Sequence, residues 1–434
     1  MLNKINNNVF IKSTLVLLIG GMFGKIIGFI LKIIITRYLG TNTMGLYSLL
    51  SPTTSLLSVI GVFSYSNAIS KLISEKRSDT KKLFVSILPI SIIINLIIII
   101  IVILFSSYLS NNLLHESILK LPIICISLTM PFISISAIIK GYFWGKQNMF
   151  PYMLSNFIEQ VIRLILVLLF LKKIMIYGDK ITICFIILIN IIGEISSWLV
   201  MLKYAPKFKI SLKDLKIDFN EVKKIMNFCI PVTLSKIIGS ISYFLEPIIL
   251  TNILLYVGYS ENYIVYEYGV INAYSLSLLL MPQFFTQNMS TSLIPELAKY
   301  YKVKDYKMCT KRIKQIVMVS LLIGSISTII ITIFPNFFLN LLYNANEGVD
   351  YIRLLSPFTI LFYIEYPLID SLQALGLTKK CFNITIKTSI IRIISIIVLS
   401  LLKIGMYSLV ITIIINLITS TNLYYKEIHN TLKI

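Results

Sequence analysis

The chain carries, at residues 83–105, the apolar stretch LFVSILPISIIINLIIIIIVILF. This stretch contains no charged residue and exceeds the roughly 20 residues that a helix needs to cross the hydrocarbon core of a bilayer. Similar stretches recur along the 434 residues, and 56% of all residues are hydrophobic. A soluble domain is usually about 45–50% apolar. The sequence therefore predicts an all-α integral membrane protein.

About twelve segments are long and apolar enough to span the membrane, and little chain is left for a soluble domain. Their approximate bounds are 9–38, 44–72, 83–109, 118–141, 151–172, 181–203, 224–256, 263–297, 311–342, 349–375, 380–402 and 404–425. Several of these spans contain proline, including Pro89, Pro131 and Pro282. Packed membrane helices tolerate such residues because their neighbours satisfy the freed backbone groups.

The chain has a net charge of +21, and the distribution of its cations predicts its orientation in the membrane. In a soluble protein this charge would favour nucleic-acid binding, but here the cations lie in short loops between apolar segments. With the N-terminus placed inside, 27 of the 40 lysines and arginines fall in inner segments, 7 in outer segments and 6 within spans. Because positive loops stay on the cytoplasmic side, we predict a multi-pass protein of the cytoplasmic membrane. Both termini are then cytoplasmic, and no nucleic-acid partner is expected.

The two halves of the chain share short motifs. Residues 24–28 read Gly-Lys-Ile-Ile-Gly in the first span, and residues 235–239 read Ser-Lys-Ile-Ile-Gly in the seventh. The fifth span, with Arg163, likewise corresponds to the eleventh, with Arg392. Since six spans is an even number, both copies start on the same side and the repeat is parallel. This predicts two pseudo-symmetric six-helix lobes around a central cavity. The predicted lobes cover residues 1–210 and 211–434.

Catalytic chemistry has little support in this sequence. Its only histidines, His115 and His429, lie outside the predicted spans, and no metalloprotease, nucleotide-binding or nucleophile-elbow motif is present. The five cysteines are scattered, and their spacing suggests neither a metal site nor a disulfide framework. We therefore expect no enzyme activity, no catalytic residue, no metal and no cofactor.

Charged residues inside the spans are the strongest candidates for a binding site. Each costs about 2.5–3.5 kcal/mol at the centre of a membrane helix, so it usually faces a partner or water. Lys25 and Lys32 lie on nearly one face of the first span, and Lys236 is the repeat counterpart of Lys25. Cations that face one cavity from two lobes would attract a phosphate or diphosphate. The alternatives are packing or pairing across helices for Lys25 and Lys236, and snorkelling to the interface for Lys32.

Carboxylates and a further arginine complete the candidate binding set. Glu159 and Arg163 are four residues apart in the fifth span, and Glu246 precedes a proline in the seventh. The plain alternative for the first two is an internal ion pair that fixes this helix. Glu194, in the sixth span, is expected to make a polar contact between helices. A stripe of small residues in the first span would let another helix approach closely; it consists of Gly20, Gly24 and Gly28.

Three stretches resemble the polysaccharide-transporter branch of the multidrug/oligosaccharidyl-lipid/polysaccharide (MOP) exporter superfamily. They are GKIIGFILKIIITRYLGTNTMGLYSLL at 24–50, KGYFWGKQNMFPYMLSNFIEQVIRL at 140–164 and SYFLEPI at 242–248. The middle stretch is the most specific, because generic hydrophobicity does not reproduce Gly-Lys-Gln-Asn-Met followed by Glu-Gln-x-x-Arg. Weaker similarity covers residues 278–300 and 354–376, so the resemblance extends over essentially the whole chain.

This resemblance implies a MATE-like fold and the flipping or export of a lipid-linked saccharide by alternating access. The implied cargo is a peptidoglycan or polysaccharide precursor, for the spore cortex in the sporulation members. The implied partners are a lipid-linked saccharide diphosphate, membrane lipids and cell-wall synthases. Lipid II flippases of this superfamily place first-helix cations in the cavity; Lys25 matches one such position, whereas Leu31 stands where a second is usual, beside Lys32. A multidrug or cation antiporter and a non-transporting scaffold for cell-wall synthesis remain as alternatives.

Overall fold

The computed structural model describes residues 2–74, 80–146, 148–205 and 218–432; side chains at 2–22, 220, 235, 288 and 291–295 are not described. These ranges are almost entirely helical and contain no strand. Helices are expected here because a backbone surrounded by lipid has to satisfy every N–H and C=O group internally. The all-α prediction is confirmed.

The chain forms two compact units, Met1–Lys32 with Leu50–Ser240, and Ile33–Leu49 with Ile241–Ile434. Two long helices contribute to both units: α1 (Leu2–Leu49) and α8 (Phe219–Val257). Within α1 the backbone leaves helical geometry at Gly40, at φ 68° and ψ 179°. This conformation is accessible essentially only to glycine, so the position of the kink is determined by the sequence.

The first unit contains six further helices. They are α2 (Ser51–Val62), α3 (Tyr65–Ser74), α4 (Thr80–Tyr108), α5 (Lys120–Gly145), α6 (Phe150–Ile174) and α7 (Asp179–Tyr204). Part of the core of this unit is a cluster of buried side chains from α3, α4, α5 and α8, including Tyr65, Leu83 and Ile138. Helix α7 packs against α5 and α6, which brings the charged side chains of these three helices together.

The second unit contains the remaining helices. They are α9 (Glu261–Gly269), α10 (Leu276–Leu280), α11 (Gln283–Lys302), α12 (Tyr306–Ile333), α13 (Pro335–Tyr343), α14 (Val349–Ala374), α15 (Thr378–Leu401) and α16 (Tyr407–Leu432). Helix α14 packs against α11, α12 and α16, and α15 packs against α16. A second buried cluster, which includes Cys309, Leu372 and Tyr424, forms a core for this unit.

Within the described residues, ten helical segments are long and apolar enough to cross a membrane. They match ten of the twelve predicted spans, with shifts of up to nine residues at the ends, since the predicted 311–342 corresponds to Tyr306–Ile333. The predicted span 9–38 lies inside α1, where the side chains up to residue 22 are not described.

The predicted span 263–297 is wrong as a single helix, whereas the predicted span 44–72 corresponds to a membrane-length segment, Ser51–Ser74, that starts later and has a break inside it. The span 263–297 is divided into α9, a π-helical segment (Val270–Ser275), α10 and α11. Pro282 is the N-cap of α11, and it cannot donate the hydrogen bond that would continue the helix. The span 44–72 begins in α1 and continues as α2 and α3, because Phe63 and Ser64 both have positive φ.

The compact units divide α8 after Ser240, whereas the sequence predicted a lobe boundary between residues 210 and 211. That predicted boundary lies outside the described residues, so the division into two repeated lobes, 1–210 and 211–434, stays a prediction. Lys25 and Lys236 both belong to the first compact unit, because α8 enters the second unit only after Ser240.

Candidate functional site

Two glycines of α1 face polar side chains of α6. A Cβ atom on Gly24 would lie 3.1 Å from Nδ2 of Asn156, and one on Gly28 would lie 3.3 Å from Oε1 of Gln160. Gly24 thus faces the side chain of Asn156, and Gly28 faces that of Gln160, one helical turn further along α6. Side chains of α6, not its backbone, reach these two glycines, so close approach of another helix at the glycine stripe stays a prediction. Gly20 lies outside the described side chains.

The three candidate lysines have exposed side chains: Lys25 and Lys32 on α1, and Lys236 on α8. A charged side chain that the protein does not cover faces either water or lipid, and lipid is unfavourable. Their exposure is therefore compatible with contact to a polar ligand. The role of these lysines in binding stays a proposal.

Four charged side chains meet between α5, α6 and α7, and we call them the charge quartet: Lys140, Glu159, Arg163 and Glu194. Arg163 Nη2 lies 2.6 Å from Glu159 Oε1 and 3.6 Å from Glu194 Oε1. Lys140 Nζ lies 3.8 Å from Glu194 Oε2. Both glutamates are only 5% exposed. The ion pair that the sequence left as the alternative for Glu159 and Arg163 is therefore present, and the interhelical contact expected of Glu194 is confirmed.

A glycine in α7 makes the quartet possible. A Cβ atom on Gly193 would lie 2.5 Å from Nε of Arg163 and 3.1 Å from its Cγ. The arginine side chain therefore lies across the surface of α7 where no side chain projects. This dependence could not be read from sequence, because Gly193 and Arg163 are thirty residues apart and on different helices.

The quartet retains unused hydrogen-bonding capacity. Among the described residues, buried side-chain atoms without a hydrogen-bond partner include Arg163 Nε, Glu194 Oε2 and, on the same helix as Glu194, Trp198 Nε1. Glu159 interacts with the hydroxyl group of Ser197, so these two side chains are not part of this set. Buried polar atoms are normally satisfied, so such a concentration suits water molecules or a polar ligand.

The second unit contains another buried ion pair, around the arginine that the sequence predicts to be the repeat counterpart of Arg163. Arg392, on α15, forms an ion pair with Glu246, on α8. Its guanidinium also lies over the ring of Tyr243, 5.5 Å from the ring centroid. Glu246 is only 3% exposed. Sequence comparison of the two halves identified Arg392 as the mate of Arg163 but did not predict its partner.

A further carboxylate in the second unit was not among the predicted site residues. Ser420, on α16, donates a hydrogen bond of 2.8 Å to Oε1 of Glu365, on α14. Its position inside a predicted span is the sequence signal that could have identified Glu365 as a candidate.

The six predicted site residues are distributed over several helices. Glu159 and Arg163 are in direct contact, and Glu246 is bound by Arg392.

A comparison with known proteins identifies the family of this chain. The model of a family described as "Polysaccharide biosynthesis protein" matches residues 10–301, more than half of the chain. The chain belongs to this family. The chain is also 31% identical to stage V sporulation protein B of Bacillus subtilis (strain 168), over 85% of this chain and 73% of that protein. The sequence resemblance to the polysaccharide-transporter branch of the MOP superfamily is thereby confirmed.

Solved structures confirm the fold of this family member. An inward-facing multidrug resistance MATE family transporter of the MOP superfamily matches with a TM-score of 0.76 and 13% identity, over 94% of each chain. The lipid II flippase MurJ in an inward closed conformation matches with a TM-score of 0.71 and 17% identity, over 96% of this chain and 87% of MurJ. The chain is accordingly a multi-pass membrane protein with a MATE-like fold.

Proposed function

We propose that this member of the polysaccharide biosynthesis family is a flippase that moves a lipid-linked saccharide across the cytoplasmic membrane by alternating access. The observation that carries the proposal is the family match over residues 10–301 of a helical membrane protein. The names of a relative, a stage V sporulation protein, and of a structural neighbour, a lipid II flippase, support a peptidoglycan precursor as cargo. In its more specific form, the proposal is that this precursor is used to build the spore cortex.

The cargo of such a flippase has an anionic diphosphate between its lipid and its sugar. We assign its recognition to Lys25, Lys236 and Lys32, whose side chains are exposed in spans where lipid contact would be unfavourable. A lysine ammonium is a compact charge that suits a phosphate oxygen. The lipid tail would stay in the bilayer, and cell-wall synthases would supply or consume the cargo.

The neutralised glutamates support an anionic cargo over a cationic one. A cation antiporter needs carboxylates that are available to its cargo. Arg163 and Lys140 together balance Glu159 and Glu194, and Glu246 is bound by Arg392. The protein thus supplies its own cation to each of these carboxylates.

A multidrug antiporter is the second candidate function, because the fold is similar to that of a multidrug resistance transporter. A panel of cationic dyes and drugs applied to a deletion strain separates the two. Strong sensitisation with normal levels of wall precursors would assign the antiporter function and overturn the flippase.

A scaffold that docks a synthase is the third candidate, and it requires no path for a polar cargo. Single cysteines introduced near Lys25 and Lys236 would then stay unlabelled by water-soluble thiol reagents from both sides of the membrane. Labelling from either side favours a transporter.

The flippase proposal is tested by mass spectrometry of lipid-linked precursors in a deletion strain, both during growth and during sporulation. We expect one lipid-linked precursor to accumulate, and its identity would name the cargo. The wild-type gene should restore normal levels, and the Lys25→Ala/Lys236→Ala variant should not. A matched control is Lys299→Ala/Lys302→Ala, which removes two exposed lysines near the end of α11. Unchanged precursor levels in the deletion strain would contradict the flippase function.

A further inference from the structure

A groove in the second unit has the composition of a lipid site. It lies between α12, α14 and α16 and has a volume of about 610 Å³, within the range of small-molecule pockets. Apolar side chains line most of it, for example Met318, Leu361 and Ile418, whereas Lys314 and His429 lie in its lining too. We propose that this groove binds one phospholipid with an anionic headgroup. This inference does not depend on the proposed function.

The polar and apolar parts of the groove are separated along the helices. Lys314 is near the start of α12 and His429 is near the end of α16. Leu321 follows Lys314 in α12, and Ile418 precedes His429 in α16, so both apolar residues lie nearer the middle of their spans. A lipid with its phosphate near Lys314 and its acyl chain toward Leu321 would match this separation.

The depth of the groove corresponds to one leaflet. On α12 the lining extends from Thr310 to Leu321, and on α16 from Ile418 to His429. At a rise of about 1.5 Å per residue, each stretch covers roughly 17 Å, close to half of a hydrocarbon core of roughly 30 Å. A lipid of a single leaflet has this length, whereas a helix of a partner protein would extend across both leaflets.

Charge around the polar end favours an anionic headgroup. The first three turns of α12 contain Lys307, Lys311, Arg312 and Lys314, and α12 contains no acidic residue. Arg312 forms an ion pair with Glu296, on α11; within the described part of the chain, no ion pair of Lys307, Lys311 or Lys314 is found. The orientation predicted from the charges places this end on the cytoplasmic side, where basic pockets between membrane helices bind acidic lipid headgroups.

The proposal is tested by photolabelling the purified full chain in phosphatidylcholine vesicles. The probes are phosphatidylglycerol and phosphatidylcholine, each with a photoreactive group at the end of one acyl chain, and the labelled peptides are identified by mass spectrometry. We expect phosphatidylglycerol to label α12 near Met318 and α16 near Ile418. Lys314→Gln should lower this labelling about fivefold, the effect of one lysine near an anionic lipid. The matched control Lys311→Gln, on the same helix but outside the groove, should leave it unchanged.

Three results would overturn the proposal. The first is equal labelling by both probes, which would make the occupant ordinary bilayer lipid. The second is an equal effect of Lys314→Gln and Lys311→Gln, which would indicate a diffuse surface charge. The third is displacement of the label by a polyprenyl phosphate but not by unlabelled phosphatidylglycerol, which would assign the groove to the cargo's tail. The labelling pattern of the unaltered chain tests the proposal even if a variant is unstable.

Discussion

Two arginines that the sequence predicts to be counterparts in a repeat each bind a buried glutamate. Arg163 pairs with Glu159 and Glu194 in the first unit, and Arg392 pairs with Glu246 in the second. The Glu159–Arg163 pair could be predicted, because residues four apart on a helix are neighbours. The other contacts join helices that are distant in sequence, and the sequence contains no local signal of which helices pack together.

Removal of Arg163 should strongly destabilise the first unit. Arg163→Ala leaves two buried carboxylates facing each other, and breaking one side of a buried ion pair costs about 3–5 kcal/mol. We expect a corresponding loss in the free energy of unfolding, measured by denaturation of the purified protein in detergent. The control is Arg353→Ala, which removes an exposed arginine near the start of α14. Equal stability of the two variants would contradict the role assigned to the quartet.

Gly193 should tolerate no side chain. A Cβ atom at this position would lie 2.5 Å from Arg163 Nε, so Gly193→Ala forces the guanidinium away from Glu159. Overpacking of this kind typically costs about 1–3 kcal/mol. The measurement is thermal unfolding in detergent beside Ile192→Ala, which changes an adjacent exposed residue of the same helix. A melting temperature at or above that of the unaltered protein would show that Arg163 has another position available.

At the scale of elements, the second half of α1 crosses α9 at two glycines. A Cβ atom on Gly269 would lie 2.8 Å from Cα of Gly45 and 2.7 Å from the carbonyl oxygen of Thr41. A Cβ atom on Gly45 would overlap the carbonyl oxygen of Val265. The two backbones are thus in direct contact, and a side chain on either glycine would separate the helices.

Gly45→Ala should therefore loosen the docking of α1 on α9. The obstructing atoms belong to the backbone and cannot rotate away, so we expect a loss of about 3 kcal/mol, at the upper end of the usual overpacking cost. Thermal unfolding can be compared with Asn42→Ala, which changes an exposed residue three positions earlier. Similar melting temperatures for both variants would contradict this packing arrangement.

Apolar length predicted most of the membrane helices, because a span of about 20 residues is a strong signal. The exceptions have specific causes. The break between α2 and α3 lies at Phe63 and Ser64, whose positive φ angles have no signature in these residue types. The break before α11 has a visible cause in Pro282, but proline is tolerated within other spans, such as at Pro89 in α4.

At the scale of the whole molecule, the uneven distribution of cations predicts the orientation in the membrane. Lysine and arginine are retained on the cytoplasmic side, and 27 of them fall in the segments assigned to that side. Green fluorescent protein fused after Ile434 should fluoresce, and alkaline phosphatase at the same place should be inactive. A matched fusion after Lys173, in a segment predicted to be outside, should give the reverse. Active alkaline phosphatase at the C-terminus would contradict the predicted orientation.

The family and the helical fold could be predicted from the sequence, because both depend on local patterns and motifs. The grouping of the helices could not, since α1 and α8 each belong partly to both compact units. Lys25 and Lys236 consequently lie in one compact unit, although the sequence predicts that they occupy matching positions of a repeat. The binding role of these lysines rests on charge and exposure, and therefore needs a direct test.

That test is transbilayer movement of a polyprenyl diphosphate-linked saccharide in vesicles that contain only the purified protein. Movement is measured as the fraction of labelled lipid that an enzyme added outside can modify over time. The account predicts that the protein raises this fraction well above that of protein-free vesicles, and that Lys25→Ala/Lys236→Ala abolishes the increase while Lys299→Ala/Lys302→Ala retains it. No increase with the unaltered, folded protein would contradict the flippase, and an increase that survives in the first variant would contradict the site.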